Sequence, residues 1–216
     1  SKARQYGIPK ENLKPCICHC VDVDGSFFSQ ADFEALRDKD KYVFIFDGEG
    51  SKNRAVLNYI KKGEGDKCNE KFLTKSRNPW YALEKRAPAP IWVSVFSRDR
   101  LNFIRNTSEA TCLTTFHCIY PKENLFGSVS IEFLFAYLIS NTARLIFLDN
   151  GREYGNGLSK FEPNDLNKGM MLDLRMLDEE VKQEILQAFD SYQQGNSDAI
   201  ARIDRLLQEQ FVNKTE

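Results

Sequence analysis

Residues 129–139 read Val-Ser-Ile-Glu-Phe-Leu-Phe-Ala-Tyr-Leu-Ile, the last part of a segment whose pattern turns helical from Ser128. A helix that is apolar nearly all round has no face to give to water, so it must be buried between layers of other elements. With 216 residues the chain can supply those layers, as one compact domain with an appendage or as two small domains. The 42% apolar and 28% charged content of the whole chain is that of an ordinary soluble protein. No apolar run reaches the roughly 18 residues of a membrane span, and the polar start shows no secretion signal. A cytoplasmic protein with no membrane partner is expected.

The elements around that helix follow from period and punctuation. Residues 15–23 read as a strand ending at the Asp24-Gly25 turn, and Ser29 with Asp32 forms a capping pattern for a short helix burying Phe33 and Leu36. Tyr-Val-Phe-Ile-Phe at 42–46 predicts a buried strand, and residues 55–62 an amphipathic helix stopped by Gly63. Strands are expected at 91–96, 102–105 and 111–120. Residues 143–148 continue as a second helix or a bent extension of the buried one, 151–165 form a glycine-punctuated loop, and Pro163 is placed for the first turn of a helix. Met170 to Leu174 suggest a short edge strand. Helices at 179–192 and 198–211, separated by Gly195-Asn196-Ser197, should pack as a hairpin. The fold class is therefore α+β, with mixed or antiparallel strands, a buried central helix and a C-terminal helical hairpin. The division expected is a strand-rich domain at 1–125 and a helical part at 126–216.

Charge is distributed unevenly. The whole chain sums to -1, which argues against a simple electrostatic DNA binder, and residues 1–70 hold equal numbers of acids and bases. Residues 71–105 carry eight basic and two acidic side chains, interleaved with Trp80, Tyr81, Trp92, Phe96 and Phe103. Basic groups among aromatics are the footprint of a nucleic-acid-facing surface. The last third is acidic.

Signals for catalysis are weak by comparison. Asn78-Pro79-Trp80-Tyr81 resembles the N-P-P-[YF] tetrapeptide of amino-methyltransferases, but its third position differs. No strand leading to a glycine-rich cofactor loop precedes it. Glu180-Val181-Lys182, the one nuclease-like triplet, falls on a solvated helix face. Phe46-Asp47-Gly48-Glu49-Gly50 lacks the Lys-Ser/Thr of a P-loop and reads as a turn. Cys16, Cys18 and Cys20 would share one face of a strand. Core packing is preferred to thiolate ligation with Cys68 or His117, because the spacing does not wrap a tetrahedral metal. No catalytic, metal or cofactor residue is assigned.

Several motifs then occur in a fixed order. They are Gly7-Ile8-Pro9 with Lys14-Pro15, Arg77-Asn78-Pro79-Trp80-Tyr81, Ala87-Pro88-Ala89-Pro90-Ile91, Phe103-Ile104-Arg105-Asn106, Thr114-Thr115-Phe116-His117, Ile119-Tyr120-Pro121, and the run from Tyr154-Gly155-Asn156-Gly157 to Glu162-Pro163-Asn164-Asp165-Leu166. The set resembles the C-terminal half of adenine-specific type II restriction-modification DNA methyltransferases. There Y-G-G-G-L-x-K-x-E-P-x-D-L follows the target recognition region. Asn156 departs from the middle glycine, and residues 170–174 replace a proline-containing segment.

The resemblance implies a target recognition domain that binds double-stranded DNA. The S-adenosylmethionine-binding catalytic domain is expected outside these residues, as a partner of this one. A cognate restriction endonuclease is a further possible partner. Lys75, Arg77, Lys85 and Arg86 are expected on phosphates. Arg98, Arg100, Arg105 and Asn106, with Thr115 and His117, are the candidates for base edges. Trp80 and Tyr81 serve as an anchor or a DNA contact, and Tyr154 and Lys160 are placed near DNA or the catalytic domain. Two alternatives are a stand-alone DNA specificity subunit and a metal-dependent nuclease with a dispersed site.

Overall fold

The structure is a computed structural model describing residues 2–97, 101–122, 129–148, 152–154, 158–160 and 162–212. Side chains are described for these except 97, 148, 152–154, 158, 159 and 212. It is α+β with mixed sheets, and it divides into two units that the chain enters more than once.

The first unit comprises Ser1–Val23, Phe28–Pro88 and Thr107–Leu113. A short helix α1 (Lys2–Gln5) precedes strand β1 (Leu13–Ile17), which lies between β3 (Phe44–Phe46) and β7 (Thr111–Cys112). β1 is antiparallel to β3 and parallel to β7. Helix α2 (Gln30–Asp38) starts as its sequence predicts. Ser29 Oγ accepts from the Asp32 N–H at 3.2 Å, and the Asp32 carboxylate accepts from the Ser29 N–H at 2.8 Å. Helix α3 (Arg54–Gly65) is capped by Asn53 and buries Val56 and Ile60.

Three expectations in this unit are corrected. β1 ends at Ile17, because its ladder is used up by three residues facing β3 and two facing β7. The chain then turns through a 3-10 segment at Cys20–Asp22, so Cys16 is buried, Cys18 partly so and Cys20 exposed. The three thiols do not share a face. β3 is an edge strand, and only Val43 of 42–46 is buried, with Tyr42 and Phe44 exposed. Helix α3 continues past Gly63, and the reason lies in Trp80, described below.

The second unit comprises Asp24–Phe27, Ala89–Asn106 and Thr114–Glu216. β4 (Ile91–Ser94) is antiparallel to β6 (Phe103–Asn106) and β8 (Phe116–Ile119), in a sheet ordered β2-β6-β4-β8 with β2 at Phe27–Phe28. As an inner strand, β4 is buried on both faces, with Ile91, Trp92 and Val93 all inaccessible. Ile91, Val93 and Phe103 join the core formed with helix α4 (Ile131–Leu138) and the C-terminal pair α7 (Glu179–Gln193) and α8 (Ala199–Val212). The buried helix is α4, where every residue from Phe133 to Leu138 is covered. This common core explains why the expected boundary at 125/126 is not the one the packing draws: these strands and helices exclude water from the same side chains.

The remaining elements are α5 (Asn141–Leu148), α6 (Pro163–Lys168, proline at its first turn) and a sheet ordered β5-β10-β9. That sheet joins β5 (Phe96–Ser97), β10 (Leu158–Lys160) and β9 (Arg152–Tyr154). The stretch read as a glycine loop thus contains two paired strands, with Leu158 opposite Tyr154 and Lys160 opposite Arg152. The expected edge strand at 170–174 is absent. Leu174 instead opens a 3-10 turn and is buried.

Candidate nucleic-acid interface

The basic zone is divided between the units, residues 71–88 in the first and 89–105 in the second. In the first unit, residues 71–86 are turns and irregular chain, held by Thr74 Oγ1 donating to the Cys68 carbonyl and by Arg77 Nη1 donating to the Ala82 carbonyl at 3.1 Å. Arg77 is thus partly buried as a strut of its own loop. Trp80 anchors the same segment. Its Nε1–H donates to Glu64 at 3.3 Å, its ring meets Tyr81 edge-on, and a Cβ placed on Gly63 would come within 2.7 Å of its Cη2. Glycine at 63 therefore leaves room for the indole against helix α3, instead of ending the helix.

On the outer side of this anchored segment stand Lys71, Lys75, Lys85 and Arg86, all exposed. Lys85 keeps 82% of its side chain accessible while lying 3.3 Å from Glu49, and Arg86 pairs with Glu84 at 2.9 Å. Phe72 is 81% exposed and Leu73 63%, with the Lys75 ammonium 5.8 Å from the Phe72 ring centre. Exposed ion pairs of this kind are weak, so these cations remain exchangeable for phosphate. Phe72 and Leu73 were not singled out from sequence, since an apolar pair in a turn-rich basic stretch carries no periodic signal of exposure.

In the second unit, Trp92 and Phe103 of the zone turn inward, while Phe96 is exposed. Trp92 stacks on Phe116 at 5.6 Å within the sheet, and Phe103 lies in the core against Phe147. Arg105 and Asn106 are framework residues here. Arg105 Nη1 donates to the carbonyls of Pro90 (3.0 Å) and Asn106 (2.8 Å), and Nη2 to Glu132 (2.7 Å), with 15% of the side chain exposed. Asn106 is buried and donates from Nδ2 to the Ala89 carbonyl. Burial alone would raise the Glu132 carboxyl, but hydrogen bonds from Arg105 and its own backbone, with the Arg105 charge, hold it below the usual range. Neither Arg105 nor Asn106 presents its polar atoms as a base reader would.

Thr115 lies in the turn just before β8 and His117 within the strand, both partly buried. Lys160 pairs with Glu162 and sits 5.9 Å from the centre of the exposed Phe96 ring. The Lys160 hydrogen bond and charge, with His117 as a lesser contributor, hold the Glu162 carboxyl low. Tyr154 is described only as part of β9, and Arg98 and Arg100 lie outside the described residues. Among the described residues no group of three or more His, Cys, Asp or Glu could hold a metal ion, and no helix is long and apolar enough to cross a membrane. Within Asn78-Pro79-Trp80-Tyr81 the indole is packed on α3.

Residues 1–208 match the family described as type II methyltransferase M.Eco57I, C-terminal domain. The chain is 47% identical over 220 residues to the type II methyltransferase M.AccI of Acinetobacter calcoaceticus, covering 99% of this chain and 41% of that protein. It is 25% identical over 165 residues to the type II methyltransferase M.XamI of Xanthomonas campestris pv. amaranthicola, covering 75% of this chain and 30% of that one. The chain thus spans less than half the length of either relative. Its fold is similar to part of the type IIG restriction endonuclease BpuSI, with a TM-score of 0.51, 14% identity, and coverage of 100% of this chain and 28% of that one.

Proposed function

We propose that this chain, which belongs to the C-terminal domain family of type II methyltransferase M.Eco57I, recognises double-stranded DNA for a methyltransferase of a restriction-modification system. The observation that carries this reading is the anchored segment 71–86. Lys71, Lys75, Lys85 and Arg86 stand exposed on a loop whose shape is fixed from beneath by Trp80 and Arg77. Cations on a held loop can meet successive phosphates without first ordering the chain, which is how a recognition domain fixes its register.

In this reading base discrimination falls to side chains other than Arg105 and Asn106, with Arg98 and Arg100 retained from the sequence as candidates. Lys160, beside the exposed Phe96, is a further DNA or catalytic-domain contact. The methyl group goes to an adenine amino group. S-adenosylmethionine is held by a catalytic domain outside these residues, and the protein works in the cytoplasm, where a cognate endonuclease shares its site. The test is duplex binding by fluorescence anisotropy. Lys75→Glu with Lys85→Glu should weaken binding at least tenfold while the circular-dichroism melt stays unchanged. Unaltered affinity would remove segment 71–86 from the interface.

A further inference from the structure

The first unit holds a second cationic and aromatic feature, lined by none of residues 71–86. A cleft of about 580 Å³ opens beside α1, the end of α2 and strand β3. Lys2, Arg4, Lys10, Arg37 and Lys41 line it, against the single carboxylate of Asp40. Arg37 is drawn to Asp38 at 3.0 Å and Lys41 to Asp22 at 3.1 Å. Lys2, Arg4 and Lys10 have no carboxylate partner among the described residues. Three like charges around one concavity repel, and a bound anion relieves them.

The walls of the same cleft are aromatic. Tyr6 and Phe46 each lie 5.0 Å from Tyr59, which makes a packed ring cluster, while Tyr42 is 61% and Phe44 37% exposed. The Lys2 ammonium stands 6.0 Å from the centre of the Tyr42 ring, so charge and ring face one space. The volume lies within the roughly 300–1,000 Å³ usual for small-ligand sites. A carboxylate-rich peptide would answer the cations and leave the rings bare. An apolar ligand would do the reverse.

We infer that this cleft binds a nucleotide, its base against Tyr42 and Phe44 and its phosphate among Lys2, Arg4 and Lys10. The inference does not depend on duplex recognition by segment 71–86. Two sources share this chemistry, a free mononucleotide and one nucleotide of a single strand, since base stacking on aromatic rings is tolerant of both.

Isothermal titration calorimetry on the 216-residue chain tests it with deoxyadenosine monophosphate, deoxyadenosine, inorganic phosphate and a four-nucleotide deoxyadenosine strand. Binding of a nucleotide at least tenfold tighter than of deoxyadenosine or phosphate is expected. The tetranucleotide binding more tightly than the monophosphate identifies a strand, and the converse a free nucleotide. Arg4→Glu with Lys10→Glu, and separately Tyr42→Ala, should each weaken it at least tenfold at an unchanged melting temperature. These are exposed side chains, so the fold should survive. Absence of binding by both nucleotides, or equal binding by the variants, overturns the inference. So does a polyglutamate peptide that binds as tightly as the nucleotide. Nucleotide binding lost on Lys75→Glu with Lys85→Glu, and kept by the cleft variants, would also overturn it. Loss of duplex binding alone, with the nucleotide isotherm intact, would count only against the preceding proposal.

Discussion

At the residue scale, Arg105 shows how one side chain can carry the signature of DNA recognition and do something else. It stands in the basic zone and in a family-like motif, yet its guanidinium joins two backbone carbonyls to the Glu132 carboxylate. Nothing local in the sequence announces that partnership, because Pro90 and Glu132 lie 15 and 27 residues away. Arg105→Ala would leave those acceptors without their donor, and hydrogen bonds to charged groups contribute about 1.5–3 kcal/mol each. Urea denaturation should therefore show a loss of about 2 kcal/mol, with duplex affinity within twofold of the parent. A lysine can supply charge but not the planar fork, so Arg105→Lys should recover only part of it. Glu132 adds a pH dependence with a definite sign. Its carboxyl is held below the ordinary 4.5, so the unfolded chain takes up the proton first as pH falls. The stabilisation is present above that value and is lost as pH drops through the lower folded one. Melting temperatures between pH 6 and pH 3 should fall less steeply for Glu132→Gln than for the parent. Parallel profiles would show that the pair is thermodynamically silent.

At the scale of elements, periodicity made the helices legible and non-local pairing hid the rest. The expected 179–192 and 198–211 are α7 (Glu179–Gln193) and α8 (Ala199–Val212) within a residue or so, because a one-sided apolar stripe is written into each segment itself. β9 and β10 read as loop from sequence, since β10 pairs with β5 some sixty residues earlier and Gly151, Gly155 and Gly157 flank the two strands. Val43 and Phe44 look equally apolar in sequence, and only the strand order reveals that β3 is an edge. A further unpredicted device joins α8 to α5. Asp204, buried in α8, accepts from Asn141 Nδ2 (2.8 Å), the Thr142 N–H (2.8 Å) and Thr142 Oγ1 (2.9 Å), so one helix supplies the cap of another. A carboxylate at a helix N-terminus also meets the positive end of the dipole. Asp204→Ala leaves three donors without their acceptor and should cost about 2–4 kcal/mol in chemical denaturation. Asp204→Asn, which keeps an oxygen, should cost less. Equal losses for the two would place the effect in packing instead of the cap.

At the scale of the whole molecule, summed charge marks out the proposed interface but does not sort its members. The surplus at 71–105 is real, yet Arg77 braces a loop, Arg105 ties a strand to a helix, and Trp92 and Phe103 fill the core. The balanced charge of residues 1–70 likewise concealed the cleft, because Arg4 and Lys10 are brought beside Lys41 only by the fold. What the sequence sum retains is the exposed group Lys71, Lys75, Lys85 and Arg86, and counterion release turns that group into a number. Each phosphate neutralised on duplex DNA contributes about 0.9 to the slope of log affinity against log salt. If all four touch phosphate, the segment accounts for a slope of about 3.6. Replacing Lys75 and Lys85 with alanine should reduce the measured slope by about 1.8, whatever duplex is offered. Arg105→Ala should leave the slope where it was. Anisotropy titrations from 50 to 300 mM potassium chloride, on a cognate and a scrambled duplex, measure both effects. An unchanged slope for the double alanine variant would mean that these lysines do not neutralise phosphate. A loss confined to the cognate duplex would instead make them readers of sequence, since contacts to the backbone alone weaken binding to both duplexes alike.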